Sequence, residues 1–377
     1  MRIAVPAETN PAESRVAASA ETVKKLTALG VHVVVQEGAG VASGVLDADF
    51  AAAGAILAHD GATTVRDADI VLRVRRPDEA DLHALKPGAL VLAIMDPYGN
   101  EAALAAMAKA NVTALAMELM PRITRAQSMD VLSSQANLAG YSAVVDAAAA
   151  YRRAMPMMMT AAGTVPAARV FVMGVGVAGL QAIATARRMG AIVTATDVRP
   201  ATKEQVESLG AKFIAVEDEE FKQAETAGGY AKQMSPEYQA KQAALVATHI
   251  AKQDIVITTA LIPGRPAPRL VSTDMVKSMR AGSVLVDLAV ERGGNVEGAK
   301  FNELAEIGGV QIIGYSSPIR LAASASALYA KNLFAFVETM IDKNSKALAV
   351  NWDDELVKAT CLTRDGAIVH PNFQPKA

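Results

Sequence analysis

The stretch RVFVMGVGVAGLQAIATARRMGAIVTATD, residues 169–197, constrains this chain more than any other. Arg169 to Met173 reads as a buried strand, Ala178 to Met189 as a helix and Ile192 to Thr196 as a second strand. Gly174, Gly176 and Gly179 fall between strand and helix in G-x-G-x-x-G spacing, and Asp197 ends the second strand. Gly174 permits a tight turn, Gly176 lets the main chain approach a pyrophosphate, and Gly179 lets the helix pack on the strand. The helix N-terminus offers free N–H groups and partial positive charge to phosphates. A carboxylate at Asp197 accepts hydrogen bonds from ribose hydroxyls and repels a 2′-phosphate. The motif therefore predicts a dinucleotide site favouring NAD over NADP, a preference that nearby Arg199 blurs. A purely structural glycine-rich turn is the alternative.

The same alternation of short aliphatic runs and helical stretches extends along the chain. Arg2 to Val5, Val31 to Val35, Ile70 to Val74, Ala89 to Ile94 and Val112 to Leu115 read as strands, with helices such as Ser19 to Leu29 and Glu101 to Lys109 between them. After Asp197 come a helix over Ala201 to Leu209 and strands over Lys212 to Ile214, Asp254 to Thr258, Ser283 to Asp287 and Val310 to Ile313. Strand–helix–strand units with short connections imply right-handed crossovers and parallel sheets. Long helices over Ser134 to Arg153 and Leu321 to Ile341 flank the second series. The expectation is an α/β chain of two Rossmann-like, doubly wound domains joined by those helices, with a cleft between them. Residues 1–133 plus 323–377 form the first domain and residues 134–322 the second.

Composition excludes other classes. Among 377 residues, 37 Lys+Arg against 39 Asp+Glu leave a net charge of −2, which gives no footing for nucleic acid. A 51% hydrophobic and 20% charged chain is not disordered, and no apolar run reaches the roughly 18 residues of a membrane helix. One cysteine, Cys361, rules out an internal disulfide and points to a reducing compartment. Five scattered histidines make no metal-ligand pair. No G-x-S-x-G elbow or phosphate-loop lysine occurs. The methionines Met155, Met157, Met158 and Met159 read as apolar packing at a domain junction.

Two polar stretches remain. Residues 215–235, AVEDEEFKQAETAGGYAKQMS, form an acidic connection that is either a lid or a plain surface insertion. Residues 117–141, MELMPRITRAQSMDVLSSQANLAGY, border the expected cleft with Arg122, Gln127, Asp130 and Ser133, and are either a polar linker or a ligand-facing loop.

At this point the sequence resembles a known family. MPRITRAQSMDVLSSQANLAGY, MMMTAAGTVPAARV, MGVGVAGLQAIATA, ATDVRPATKEQVESLGAKF, ETAGGYAK, TTALIPGRPAP, VDLAVERGGN and TRDGAIVHP are together similar to the NAD(H)-binding component of the proton-translocating nicotinamide nucleotide transhydrogenases. The likeness runs from RIAVPAE to TRDGAIVHP. It implies that Arg122, Gln127, Asp130 and Ser133 position the nicotinamide, with Gln127 reaching toward a second nucleotide. It assigns nucleotide contacts to Gly174, Gly176, Val177, Gly179, Asp197, Val198, Arg199, Gly229 and Leu261, and makes Tyr230 the tyrosine of a mobile closing loop. It further implies NAD(H) on this chain and NADP(H) on a partner subunit, a homodimer, and a separate integral membrane subunit that moves protons. The chain itself is then a cytoplasmic, peripheral subunit with no membrane insertion.

Two rival readings stay open. A non-catalytic NAD-sensing protein would share the fold. Alanine dehydrogenase shares the architecture and the arginine at position 15, but uses a lysine and a histidine beside its keto acid. Here Arg75 stands in the lysine segment and Met95-Asp96 where the histidine falls. Arginine stays protonated and is a poor proton shuttle. Direct transfer between two nicotinamides needs no such acid and base.

Overall fold

Six short aliphatic runs in the first third of the chain, β1 (Arg2–Val5), β2 (His32–Gln36), β3 (Ile56–Ala58), β4 (Ile70–Arg75), β5 (Leu90–Ile94) and β6 (Thr113–Ala116), align in parallel in the order β3-β2-β1-β4-β5-β6. The structure, a computed structural model, describes residues 1–222, 234–262, 264–315 and 317–374. Two antiparallel strands near the C-terminus, Cys361–Arg364 and Ala367–Ile368, extend this sheet beyond β6. The strands are apolar on both faces because both faces are covered. Ile3, Val5, Ile70, Leu72 and Leu92 pack with Tyr329, Leu333 and Phe336 of the helix Ala322–Glu338. Ala4, Val71, Val91 and Ala93 pack with Leu104 and Met107 of the helix Glu101–Lys109. This unit comprises residues 1–135 and 319–377.

The second unit comprises residues 136–318, and the helix Val131–Ala150 carries the chain into it. A short hairpin, β7 (Met158–Thr160) and β8 (Gly163–Val165), precedes a seven-stranded sheet. The sheet contains β9 (Arg169–Met173), β10 (Ile192–Thr196), β11 (Lys212–Phe213), β12 (Ile255–Thr258), β13 (Val284–Asp287), β14 (Leu304–Ile307) and β15 (Val310–Ile313). Its order is β11-β10-β9-β12-β13-β15-β14, parallel except for β14. Val170, Val172, Ile255 and Ile257 meet Ala143, Val144 and Ala147 of the entering helix, and Ala182, Ile183 and Ala186 of the helix Val177–Arg188. Phe171, Val256 and Leu285 meet Val246, Ile250 and Val276 on the other face. Each unit is thus an α/β layer structure whose strand order reverses direction of growth at one point, between β1 and β4 and between β9 and β12.

Several elements differ from the sequence expectation. The strand β3, the antiparallel β14 and the C-terminal strand pair lie at or next to sheet edges and have two to four residues each, too short for a periodic signal. The methionine cluster divides. Met155 is buried in the core of the second unit, but Met157, Met158 and Met159 are 56%, 43% and 79% exposed at and on the hairpin, so they pack no junction within the described chain. Of the acidic connection, residues 215–222 and 234–235 are described. Glu219–Lys222 makes a helical turn that buries Phe221, and the Glu220 carboxylate accepts hydrogen bonds from Ser235 N and Oγ at 2.5 and 2.6 Å. Gly229 and Tyr230 lie outside the described residues. Among those residues, no helix is long and apolar enough to cross a membrane.

Candidate functional site

Strand register builds the site. Met173 of β9 stands opposite Thr196 of β10 and Thr258 of β12, so the residues that follow each strand, Gly174, Asp197 and Thr259, leave the sheet side by side. They lie at the carboxyl ends of the strands, at the reversal of strand order, where an open parallel sheet binds its ligand. Gly174 adopts φ +102° and donates its N–H to Thr196 O at 2.9 Å. The Thr259 hydroxyl donates to Gly174 O at 2.9 Å and locks the turn against the neighbouring strand.

The three glycines have distinct geometry. A Cβ on Gly179 would stand 1.9 Å from Gly174 O, so the helix Val177–Arg188 touches the turn directly. Gly176 caps that helix with nothing within 4 Å of where its Cβ would be, which leaves open space at the helix N-terminus for a phosphate. The carboxylate of Asp197 is 7% exposed and accepts the Val175 N–H at 2.7 Å, which holds it beside the turn. Half-exposed apolar groups follow these polar ones: Val177, Val198 and Leu261 are 39%, 45% and 53% exposed. Open space over a helix N-terminus, an anchored carboxylate and free apolar surface fit a dinucleotide's pyrophosphate, ribose and ring in turn.

Residues not singled out by sequence reasoning hold this frame. Buried Asn295 accepts from Ala260 N at 3.0 Å and donates to Ala260 O and Pro268 O at 2.9 and 2.8 Å, clamping the segment that carries Leu261. Asp287 accepts from Ala289 N and Val296 N, both at 2.9 Å; burial pushes its carboxyl up despite those bonds.

Arg122, Gln127, Asp130 and Ser133 all belong to the first unit. The structure brings Asp130 and Ser133 together. The Asp130 carboxylate accepts Ser133 N at 2.9 Å and Ser133 Oγ at 2.5 Å, the arrangement of an N-cap on the helix Val131–Ala150. Arg122 and Gln127 do not join them and are exposed. Their loop is nevertheless pinned. Asn332 donates to Ser128 O at 2.7 Å and accepts from Ser134 Oγ at 2.7 Å, while Arg125 forks onto Asp354 at 2.9 and 2.7 Å. Gln127 is thereby an exposed amide on a fixed loop. Asn332 and Asn295 left one faint trace in the sequence, a lone amide inside an otherwise apolar or glycine-rich run.

Arg15, which the rival reading shares, and Arg75, which replaces its lysine, are both already engaged. Arg15 donates Nε and Nη2 to Glu13, each at 2.7 Å, and Nη1 to Gln135 at 2.9 Å; Arg75 Nε donates to Glu13 at 2.9 Å. Asp96, with φ +48°, donates its main-chain N–H to Glu118 at 2.5 Å.

Comparison with known proteins agrees with both units. The family models described as Alanine dehydrogenase/PNT, N-terminal domain and C-terminal domain, match residues 4–139 and 143–371. The first portion of a divided NAD(P) transhydrogenase subunit alpha from Rhodospirillum rubrum is 55% identical over 377 residues, covering 98% of each chain. A solved transhydrogenase structure from Sinorhizobium meliloti matches with TM-score 0.90 and 62% identity, over 98% of this chain and 100% of that one. An alanine dehydrogenase from Mycobacterium tuberculosis is 32% identical over 303 residues, 80% of this chain and 75% of its own.

Proposed function

We propose that this chain, which belongs to the alanine dehydrogenase/PNT family and within it to the NAD(P) transhydrogenase alpha subunits, binds NAD(H) and presents it for direct hydride exchange with NADP(H) held on a partner subunit. The reaction is NADH + NADP⁺ ⇌ NAD⁺ + NADPH, in which hydride passes from C4 of one nicotinamide to C4 of the other with no proton donor or acceptor. The observation that carries the reading is the turn of the second unit: glycine-lined space at a helix N-terminus beside the anchored Asp197 carboxylate. The dinucleotide supplies the redox chemistry; the chain's own work is to bind, orient and exclude water. Gly174, Gly176 and Val177 face the phosphates, Asp197 the ribose, and Val198 and Leu261 the apolar rings. Arg122 and Gln127 act on the nicotinamide side, with Asp130 and Ser133 setting the start of the helix that follows them. Gly229 and Tyr230, outside the described residues, supply further nucleotide contacts on the strength of the family resemblance. Coupling to proton movement belongs to an integral membrane partner, on whose cytoplasmic side this subunit docks.

Two facts favour this over amino-acid oxidation. Identity to the transhydrogenase subunit is 55%, against 32% to the alanine dehydrogenase. Arg15 and Arg75 are tied to buried Glu13, and an arginine cannot give and take a proton near neutral pH. The test mixes the purified chain with an NADP(H)-binding transhydrogenase domain and follows reduction of a nicotinamide analogue by NADPH. Transfer should appear in the mixture, and alanine should drive no NAD⁺ reduction by the chain alone. Alanine-dependent reduction would install the rival; NADH binding with no transfer would leave a sensor. Gln127→Asn shortens an exposed amide by one methylene, so transfer should slow about tenfold or more while NADH affinity changes less than about twofold. Loss of binding instead would remove Gln127 from the transfer side.

The homodimer rests on the hairpin. A two-stranded ribbon is marginal alone in water, and this one presents Met158 and Met159 to solvent. Met159→Asp should shift the chain from dimer to monomer in sedimentation at micromolar concentration, and an unchanged dimer would place the contact elsewhere.

A further inference from the structure

Asp197 has no unused acceptor position. Its Oδ2 takes Val175 N–H at 2.7 Å and Arg199 Nη2 at 3.0 Å; its Oδ1 takes Arg199 N at 2.9 Å and Arg199 Nε at 2.9 Å. A carboxylate offers about four lone-pair sites, and all are taken, two of them by one guanidinium. The same guanidinium also donates from Nη2 to Val175 O at 3.2 Å, so it spans from the acid to the glycine turn. Its side chain is 29% exposed and that of Asp197 is 7%, so the arginine lies outermost and covers the acid.

A ribose diol bound to Asp197 must therefore displace the Arg199 side chain. The main chain of Arg199 is held in place, since its carbonyl accepts Thr202 Oγ1 at 2.7 Å and Thr202 N at 3.2 Å. Val175 N keeps its hold on Oδ2 throughout, so the acid stays aimed while the arginine moves.

Resting on the proposed reading of this turn as the NAD(H) site, we infer that Arg199 sets the preference between a free ribose diol and a 2′-phosphate, by occupying Asp197 until a nucleotide displaces it. For NADH, the arginine is a competitor: its fork onto the carboxylate must be broken before the diol can bind. For NADPH, the displaced arginine is a tethered cation beside the one position where the two nucleotides differ, and it offsets the repulsion between Asp197 and the phosphate. The chain's discrimination is therefore smaller than Asp197 alone would produce.

The experiment titrates NADH and NADPH, by their own fluorescence, into the unsubstituted chain and into Arg199→Met and Arg199→Lys. In the methionine variant NADH should bind about three- to tenfold more tightly and NADPH more weakly. The ratio of their dissociation constants should rise at least about tenfold. The lysine variant keeps the charge and loses the planar fork, so NADH should again tighten while NADPH changes less; it carries the comparison if the methionine variant does not fold. A ratio within about twofold of the unsubstituted chain in the folded variants overturns the inference. So does NADH binding that weakens in step with NADPH, which would make the arginine an ordinary contact to the nucleotide. If the unsubstituted chain binds neither nucleotide, the parent reading falls as well; NADH binding with an unmoved ratio fells this inference alone.

Discussion

Gly179→Ala should cost the chain both stability and nucleotide binding, whereas Gly176→Ala should cost binding alone. The added methyl at position 179 would lie 1.9 Å from Gly174 O and 2.9 Å from Gly174 C, and both atoms are main chain. No rotamer relieves such a contact; the helix Val177–Arg188 has to back away from the turn. That movement opposes a second close approach, because Gly140 of the entering helix already lies with its would-be Cβ 2.1 Å from Ala178 O. Overpacking against backbone on two sides should destabilise the second unit by about 3 kcal/mol, at the upper end of such substitutions. Shifting the helix N-terminus also removes its N–H groups from the phosphates, so NADH affinity should fall about a hundredfold. At position 176 the added methyl meets nothing in the protein, and φ −84° with ψ −165° is open to alanine. Its stability to urea should stay within about 0.5 kcal/mol of the unsubstituted chain. Only the close approach of a phosphate is blocked, and NADH titration should show a loss comparable to that of the first variant. Unimpaired binding by a stable Gly176→Ala chain would place the pyrophosphate somewhere other than this turn.

The contrast between those glycines was legible in the sequence because the motif carries its reasons in residue type and spacing. The strands were legible for a related reason. β9, β10 and β15 have the bounds that their β-branched and aliphatic runs suggested, since most of their residues are buried and the polar ones, Arg169, Thr194, Thr196 and Gln311, do not interrupt the run. The short strands at and beside the sheet edges were not, because two to four residues are too few to show a period. The division of labour in the QSMD loop was also hidden. Asp130 and Ser133 close a helix cap on each other, a local bond that spacing permits but does not announce, while Gln127 stays exposed. The braces on the site, Asn332 to Ser128 and Asn295 to Ala260, join residues 204 and 35 positions apart in the sequence. Such pairings depend on tertiary contact, and one sequence does not contain them. The Met157–Met159 run shows the opposite failure: composition alone assigns methionines to a core, and only the fold places them on an exposed ribbon.

Arg15→Met should be the most destabilising substitution in the first unit, and its effect should depend on pH in a defined direction. Arg15 and Glu13 are 4% and 1% exposed, and Arg15 supplies two of the charge-assisted bonds to that carboxylate. Burial works to raise the Glu13 carboxyl, but the hydrogen bonds and charge of Arg15, and then of Arg75, outweigh it, so the group sits below its ordinary value of 4.5. A depressed carboxyl stabilises the fold above its unfolded value, and that contribution disappears as pH falls through the folded value. The unsubstituted first unit should therefore lose stability on acidification below about pH 4.5. Removing the Arg15 side chain leaves a buried carboxylate with Arg75 as its one charged partner and the main-chain N–H of residue 15 at 3.2 Å, at a cost of about 3–5 kcal/mol near neutrality. Burial then dominates, the folded value rises above the unfolded one, and the sign reverses. The variant's deficit should be largest at pH 7 and shrink toward pH 4, where Glu13 is increasingly protonated. Adding Glu13→Gln to Arg15→Met should recover much of the loss at pH 7, because a neutral amide is cheaper to bury than an unpaired charge. Thermal unfolding of the three proteins across pH 4–8 decides the matter. A deficit that stays constant with pH would show that Arg15 acts through packing rather than charge. The same ion group ties Arg75, which stands where alanine dehydrogenase has its lysine, to Glu13 at 2.9 Å, a bond to a carboxylate that a group which stays protonated can hold at every pH in this range.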